Sequence, residues 1–305
     1  MTAAVVAAGS GGVGGLFAST TYTGDGSTRN IATGQNLAAG GLVWGKGTTN
    51  TRNHLLVDTV RGNTKYIRSN DTTAEQTDTN LVTAFNSSGV ALGTGANLNA
   101  ASEDFVIFSW LEQAGYLDIV QETGTGAAKT VSHSLGVAPD MIAAFNLSGA
   151  NNWTVYHSSL DGSNPENYRL NLNTDAARSL ETNNAWNDTA PTTTQFTVGS
   201  GAAVNGSGDS IIYYLFAEKA GSSKFGTYSG TSTINTGLPS VKSFLVKRTD
   251  AAGDWYLFYE DGGTWYHVKP NTKDVRATGL ISVSGGDVTL SGAAAAGNGV
   301  YSAWK

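Results

Sequence analysis

Residues Asn152–Asn173, NWTVYHSSLDGSNPENYRLNLN, decide how the rest of the chain is read. Trp153, Val155 and His157 alternate with Thr154 and Tyr156. Alternation resumes at Tyr168, Leu170 and Leu172, after Asp161-Gly162 and Asn164-Pro165. Strand side chains point to opposite faces in turn, and Asp-Gly supplies the positive-φ residues of a reversal. The stretch therefore predicts a β-hairpin.

The same phrase occurs twice more. Upstream, Asn53–Asp58 is followed by Arg61-Gly62 and then Lys65–Asn70; downstream, Asp254–Glu260 is followed by Asp261-Gly262 and Trp265–Asn271. Each copy ends on an Asn: Asn70, Asn171 or Asn173, and Asn271. A spacing of about 100 residues is domain-sized, so three tandem copies of one unit are expected.

The chain has 305 residues, of which 39 are Gly, 14% are charged and 10% are aromatic. Short alternating runs outnumber i, i+3, i+4 patterns, which favours strands. The expected fold is all-β: three related, jelly-roll-like β-sandwich domains behind a short N-terminal arm. The boundaries read as an arm over 1–19 and repeats over 20–118, 119–220 and a shorter 221–305. The closing stretches Phe105–Leu111, Ile211–Ala217 and Val300–Trp304 are nearly continuous in apolar residues, as expected of a central strand buried on both faces.

The net charge is −6 and the basic residues are scattered, so no nucleic-acid partner is expected. The absence of cysteine excludes disulfides and thiolate metal sites. No apolar run approaches about 18 residues, so no membrane insertion is expected. The N-terminus lacks a charged n-region, so no secretory signal is expected either.

In the arm, Gly9, Gly11 and Gly14 satisfy G-x-G-x-x-G. The dinucleotide reading needs a helix next, and Leu16–Ser19 runs instead into strand and turn residues. No cofactor is expected. The arm reads as a flexible segment or as a docking arm seated by Val5, Val6, Leu16 and Phe17.

A catalytic centre is not expected. His157 could act as a base with Asp161, but the corresponding position is Asp58 in the first copy and Tyr259 or Glu260 in the third. No HExxH or G-x-S-x-G spacing is present. Asp71, Glu75 and Asp78 share a polar loop, which reads as solvated; it lacks the D-x-D-x-D-G spacing of a calcium loop, so no metal is expected. The aromatics carry more. Trp153, Tyr156, His157, Trp186, Trp255, Tyr259 and Trp265 lie on or beside the second and third hairpins, and in the third both faces are apolar. One face must be core, and the other must meet a partner protein or a glycan.

The ordered phrases Trp153-x-Val155-Tyr156-His157, Tyr168-x-Leu170-Asn171, Trp186-Asn187-x-Thr189-x-Pro191, Phe196–Gly199 and Tyr214–Ala217 resemble repeat domains in virion and tail-fibre-like proteins of marine tailed phages. The first copy carries similar phrases at Tyr22–Gly24, Leu42–Trp44, Val60–Gly62 and Phe85–Gly89. The resemblance implies a non-enzymatic protein of the phage particle surface. It would be a tail-fibre or receptor-binding component, contacting other virion proteins and a host glycan or receptor. A homo-oligomer, with a trimer favoured, is implied too. A capsid decoration protein is the alternative reading, and a glycan depolymerase the third.

Overall fold

A computed structural model of the chain describes residues 15–181 and 183–305. Strands dominate, and helix is confined to single turns such as Ala96–Asn99 and Ala202–Asn205.

Each repeat is a β-sandwich. Its larger sheet sets an opening strand against a closing strand: Phe17–Thr23 against Asp104–Leu111, Leu117–Thr123 against Ser210–Phe216, and Ser223–Ser229 against Asn298–Trp304. On the far side of the closing strand lie Gly41–Gly47, Met141–Asn146 and Ser243–Arg248. These pair in turn with the hairpin strands His54–Asp58, Thr154–His157 and Trp255–Asp261. The smaller sheet is built from Arg29–Ala32, Gly89–Leu92 and Val82–Asn86 in the first repeat. In the third it is Thr233–Asn235, Asp287–Leu290 and Ile281–Ser284. The second repeat has only two such strands, Lys129–Ser132 and Gln195–Val198. The first and last strands share one sheet while the next pair inward share the other. This is jelly-roll winding, closed by a hairpin that stays in one sheet.

The opening strands begin at Phe17, Leu117 and Ser223, which shifts each expected boundary by a few residues. Val5 and Val6 of the expected docking arm lie outside the described residues. Leu16 packs against the core and Phe17 lies within it, pairing with Trp110 in the first sheet. Phe17 is thus a core residue of the sandwich, whereas Leu16 is half-buried at its edge.

The closing strands explain the architecture. Phe105 and Ile107 point into a core private to the first sandwich, whereas Val106, Phe108 and Trp110 point into a core shared by all three repeats. Alternation along one strand thus feeds two cores, and the strand is nearly continuous in apolar residues, Ser109 excepted, because neither face meets water. Trp110, Phe216 and Trp304 occupy the same register in their sheets. They meet mutually, with ring centroids 5.9 Å apart for Trp110–Phe216, 5.4 Å for Trp110–Trp304 and 5.8 Å for Phe216–Trp304. Three equivalent residues in mutual contact define a pseudo-threefold axis within one chain. The next layer along it is Trp44, Ala143 and Leu245, one large, one small and one intermediate side chain at equivalent positions. Such unequal volumes fill a shared space without overpacking.

The three hairpins reverse differently. In the third, Asp261 pairs with Thr264, and Gly262 and Gly263 carry φ of 59° and 84°. Two successive positive φ values make the two-residue reversal that the Asp-Gly signal announces. In the second, Asp161 instead accepts from the Ser163 and Asn164 amides and heads a longer loop, which returns through the turn Pro165–Asn167.

Candidate functional site

The residues singled out in the sequence come together at the seams between repeats. Three equivalent main-chain hydrogen bonds mark these seams. The Glu75 amide donates to the Leu147 carbonyl at 3.0 Å, the Arg178 amide to Thr249 at 3.1 Å, and the Arg276 amide to Thr48 at 3.0 Å. First joins second, second joins third, and third joins first, so the ring is closed.

Asn70, Asn173 and Asn271 hold the hairpins in shape for this contact. Each Oδ1 accepts the amide of the residue that opens the hairpin: His54 at 2.7 Å, Trp153 at 3.0 Å and Trp255 at 3.0 Å. Each Nδ2 donates at 2.8 Å to the preceding side chain, Asn53, Asn152 or Asp254. Asn173, not Asn171, is therefore the repeated Asn of the second copy. So held, the Trp153 indole donates to the Arg68 carbonyl of the first repeat at 2.8 Å, and the Trp255 indole to Asn171 of the second at 2.9 Å. His54 takes this place in the first repeat. Its Nδ1 accepts from the Trp44 indole at 2.9 Å, and burial lowers its pKa well below the ordinary histidine value.

Asp58, His157 and Tyr259 share one register position and one task. Asp58 accepts from Tyr214 of the second repeat at 2.8 Å and from Arg61 at 2.5 Å. His157 Nε2 donates to the Tyr301 carbonyl of the third repeat at 3.0 Å, while its Nδ1 accepts the Ser159 amide at 3.1 Å. Tyr259 meets Phe108 of the first repeat edge to face at 5.3 Å. With both ring nitrogens occupied and 2% of its surface exposed, His157 has no lone pair to offer a substrate. Burial drives its pKa down to about 4, against the pull of the Tyr301 carbonyl. Buried lysines complete two seams. Lys247 Nζ donates to the carbonyls of Asp175, Arg248 and Gly253 at 2.8–3.0 Å. Lys46 Nζ donates to Gly47 and Lys273 at 2.7 and 3.2 Å. Burial lowers both ammonium pKa values to about 8.

The aromatic set expected to meet an outside partner is thus placed inside. Trp153, His157, Trp255 and Tyr259 pack at the seams and in the shared core, and Tyr156 and Trp186 in the private core of the second sandwich. Only Trp265 of the seven is half-buried. The second apolar face of each hairpin meets a sister repeat, because ring closure leaves no other way to bury it. The expected loop acids do not converge: Glu75 sits at a seam with Arg61 and Lys65, and Asp71 pairs with Arg68. Among the described residues, no group of three or more His, Cys, Asp or Glu side chains is placed to hold a metal. No helix among the described residues is long and apolar enough to cross a membrane.

Residues 13–276 match the model of a family described as a domain of unknown function, DUF7483. The chain belongs to the DUF7483 family. The match begins just before the first opening strand and ends at Arg276, whose amide closes the ring onto Thr48. The match thus covers the first two sandwiches and part of the third, and stops before the third closing strand Asn298–Trp304. No curated protein and no solved structure matches the chain.

Depressions open on the outside. One, of about 580 Å³, lies at the seam between the second and third repeats beside Asp161, Arg178, Tyr228 and Asp250. Another, of about 220 Å³, lies within the second repeat beside Thr154, Arg169 and Glu181. The sequence signal for the second was the long polar segment Thr174–Thr194, which has no counterpart of equal length in the third repeat.

Proposed function

We propose that this chain is a non-enzymatic structural protein of a tailed-phage particle, displayed at the surface as a tail-fibre or receptor-binding component. The closed ring is the observation that supports this reading. Its conserved geometry is spent on joining repeats, and the position held by His157 is filled by Asp58 and Tyr259 in the sister copies, which suits a seam and not a reaction. A rigid ring with a polar exterior suits display and contact. Further oligomerisation, with a trimer the favoured state, would join whole rings and not repeats. Other virion proteins and a host glycan or receptor are its partners; nucleic acid is not.

A capsid decoration protein is the second reading. The pseudo-threefold axis favours it, because a ring of this kind can sit where three capsid subunits meet. Quantitative gels of purified particles separate the two: a few to tens of copies mark a fibre component, hundreds a decoration protein. Labelled chain added to host cells tests attachment directly, and failure to bind any host that the phage infects removes the receptor-binding role. Release of reducing ends from host polysaccharide by the pure chain would replace both readings with a depolymerase.

A further inference from the structure

The three repeats act as controls for one another, and the second differs in its smaller sheet. In the first and third sandwiches the smaller sheet has a third strand, Val82–Asn86 or Ile281–Ser284. In the second that strand is absent among the described residues, and the pocket of about 220 Å³ opens beside its place, walled by Glu181, Asn184 and Ala185, which immediately precede it in the chain. The large-sheet residues beneath have changed to match. Thr154 stands where the first and third repeats have Leu55 and Tyr256, and Arg169 where they have Tyr66 and His267. Those counterparts are packed side chains: Leu55 and Tyr66 in a private core, Tyr256 against His267 at 5.3 Å. An apolar or aromatic pair has become a polar one.

The polar pair is also incompletely satisfied. Arg169 Nη2 bonds Glu181 Oε1 at 2.8 Å, but Arg169 Nε is buried without a partner. Thr154 is 1% exposed, and its Oγ1 is buried without a partner at the pocket wall. Buried donors and acceptors of this kind are destabilising unless something bonds them. Asn151 and Asn184 add amides to the rim, and Val204 an apolar floor.

We infer that this pocket is a binding site for a neutral sugar residue. The ion pair leaves the site without net charge, so a phosphate or carboxylate would have to lie against Glu181. Donors of Arg169 and the amides alternate with acceptors on Glu181 and Thr154, which matches vicinal hydroxyls, each able to donate and accept. The aliphatic floor suits the C–H face of a pyranose ring. A flat base would find no aromatic ring among the lining residues to stack on. The biological meaning of the site rests on the host-attachment reading, but its occupancy can be measured separately.

The test is an NMR titration of the isotope-labelled full chain with glucose, galactose, mannose, N-acetylglucosamine and rhamnose, and with inorganic phosphate as a separate arm. At least one sugar should shift the signals of Asn151, Thr154, Arg169 and Asn184. Glu181→Gln and Thr154→Val should each weaken that sugar about tenfold, the loss expected for one buried polar contact. Thr154→Val removes an unsatisfied hydroxyl and keeps the shape of the side chain, so it carries the test if Glu181→Gln fails to fold. Shifts with no sugar of the panel, shifts only elsewhere, or a stronger response to phosphate overturn the inference. Cells bound equally by the wild type and by Thr154→Val overturn the pocket's part in attachment and leave attachment standing. Intact sugar shifts without cell binding uphold the pocket and overturn attachment.

Discussion

The Arg276 amide donates to the Thr48 carbonyl at 3.0 Å, and this bond joins the last repeat to the first. Its two equivalents join the other pairs, so each repeat presents one surface forward and a different one backward. Head-to-tail contacts of this kind form a ring only if the rotation closes. Here it closes after three steps, with Trp110, Phe216 and Trp304 on the axis.

Closure makes the shared core the property of no single repeat, so the chain should unfold as one unit. Calorimetric and van't Hoff enthalpies are expected to agree. Trp110→Ala removes a ring that contacts both partners on the axis, and should cost about 3–5 kcal/mol by urea denaturation. A fragment ending at Phe216 lacks the third wall and should be insoluble or lack native dispersion in its NMR spectrum. Two separated transitions in the intact chain would mean that the sandwiches stand alone.

Asn70, Asn173 and Asn271 each make the same two hydrogen bonds, one to a main-chain amide and one to a side chain. Replacing any of them by Ala leaves a buried amide unpaired at the mouth of a hairpin. Each should cost about 1–3 kcal/mol. The three losses should be alike in size, since the geometry is alike. A loss at one position only would show that the repeated Asn is a relic of duplication at the other two.

Much of this was legible in the sequence, and the part that was not has a physical reason. Period-2 alternation around three similar reversals gives three hairpins and hence three sandwiches. Apolar residues on both faces of Trp255–Tyr259 require two contacts, but alternation cannot say whether the second is solvent-facing, foreign or a sister repeat. The seams themselves are masked by compensation. Tyr168 lies under Arg178 at 4.4 Å and Tyr266 under Arg276 at 4.3 Å, whereas the first repeat has Lys65 and Glu75 at these positions, 3.5 Å apart. A cation over a ring and an ion pair do the same work with unrelated residues. Likewise Trp44, Ala143 and Leu245 share a layer that no comparison of residue types would align.

The seam between first and second repeats carries a buried charged network, and breaking it by halves should be costly. Arg61 and Asp58 side chains are 1% and 0% exposed, and Tyr214 bonds both. Asp58→Ala leaves a buried guanidinium with only Glu75, at 3.4 Å, as a charged neighbour. A loss of about 3–5 kcal/mol is expected. Removing both charges should cost less than removing one. Leu160 is the second repeat's residue at the place of Arg61, so Asp58→Ala with Arg61→Leu is the apt double variant. A double-mutant cycle with no coupling would show the pair to be incidental to the seam.

Acid should loosen the ring through its histidines. Burial lowers the pKa of His157 to about 4, and His54 and His267 are lowered by the same cause. In the unfolded chain these groups titrate near about 6.5. Between those values the unfolded chain binds more protons than the folded one, so stability is complete above about pH 6.5 and falls as pH drops toward 4. For His157 alone the loss is on the order of 3 kcal/mol. The groups that face it are the Tyr301 carbonyl, the Ser159 amide and the Phe225 ring at 5.8 Å, none of which can pair with an imidazolium as a counter-ion. Lys46 and Lys247 stay protonated across this range and do not contribute to the slope. Carboxylates held low, such as Asp161 and Asp254, lose stability in the same direction at lower pH, so the comparison must be with a variant. His157→Gln keeps a donor and an acceptor but cannot titrate. Its urea midpoint should start lower at neutral pH and fall less steeply to about pH 4.5 than that of the wild type. Parallel pH profiles for the two proteins would show that His157 is not the acid-sensitive link between the second and third repeats.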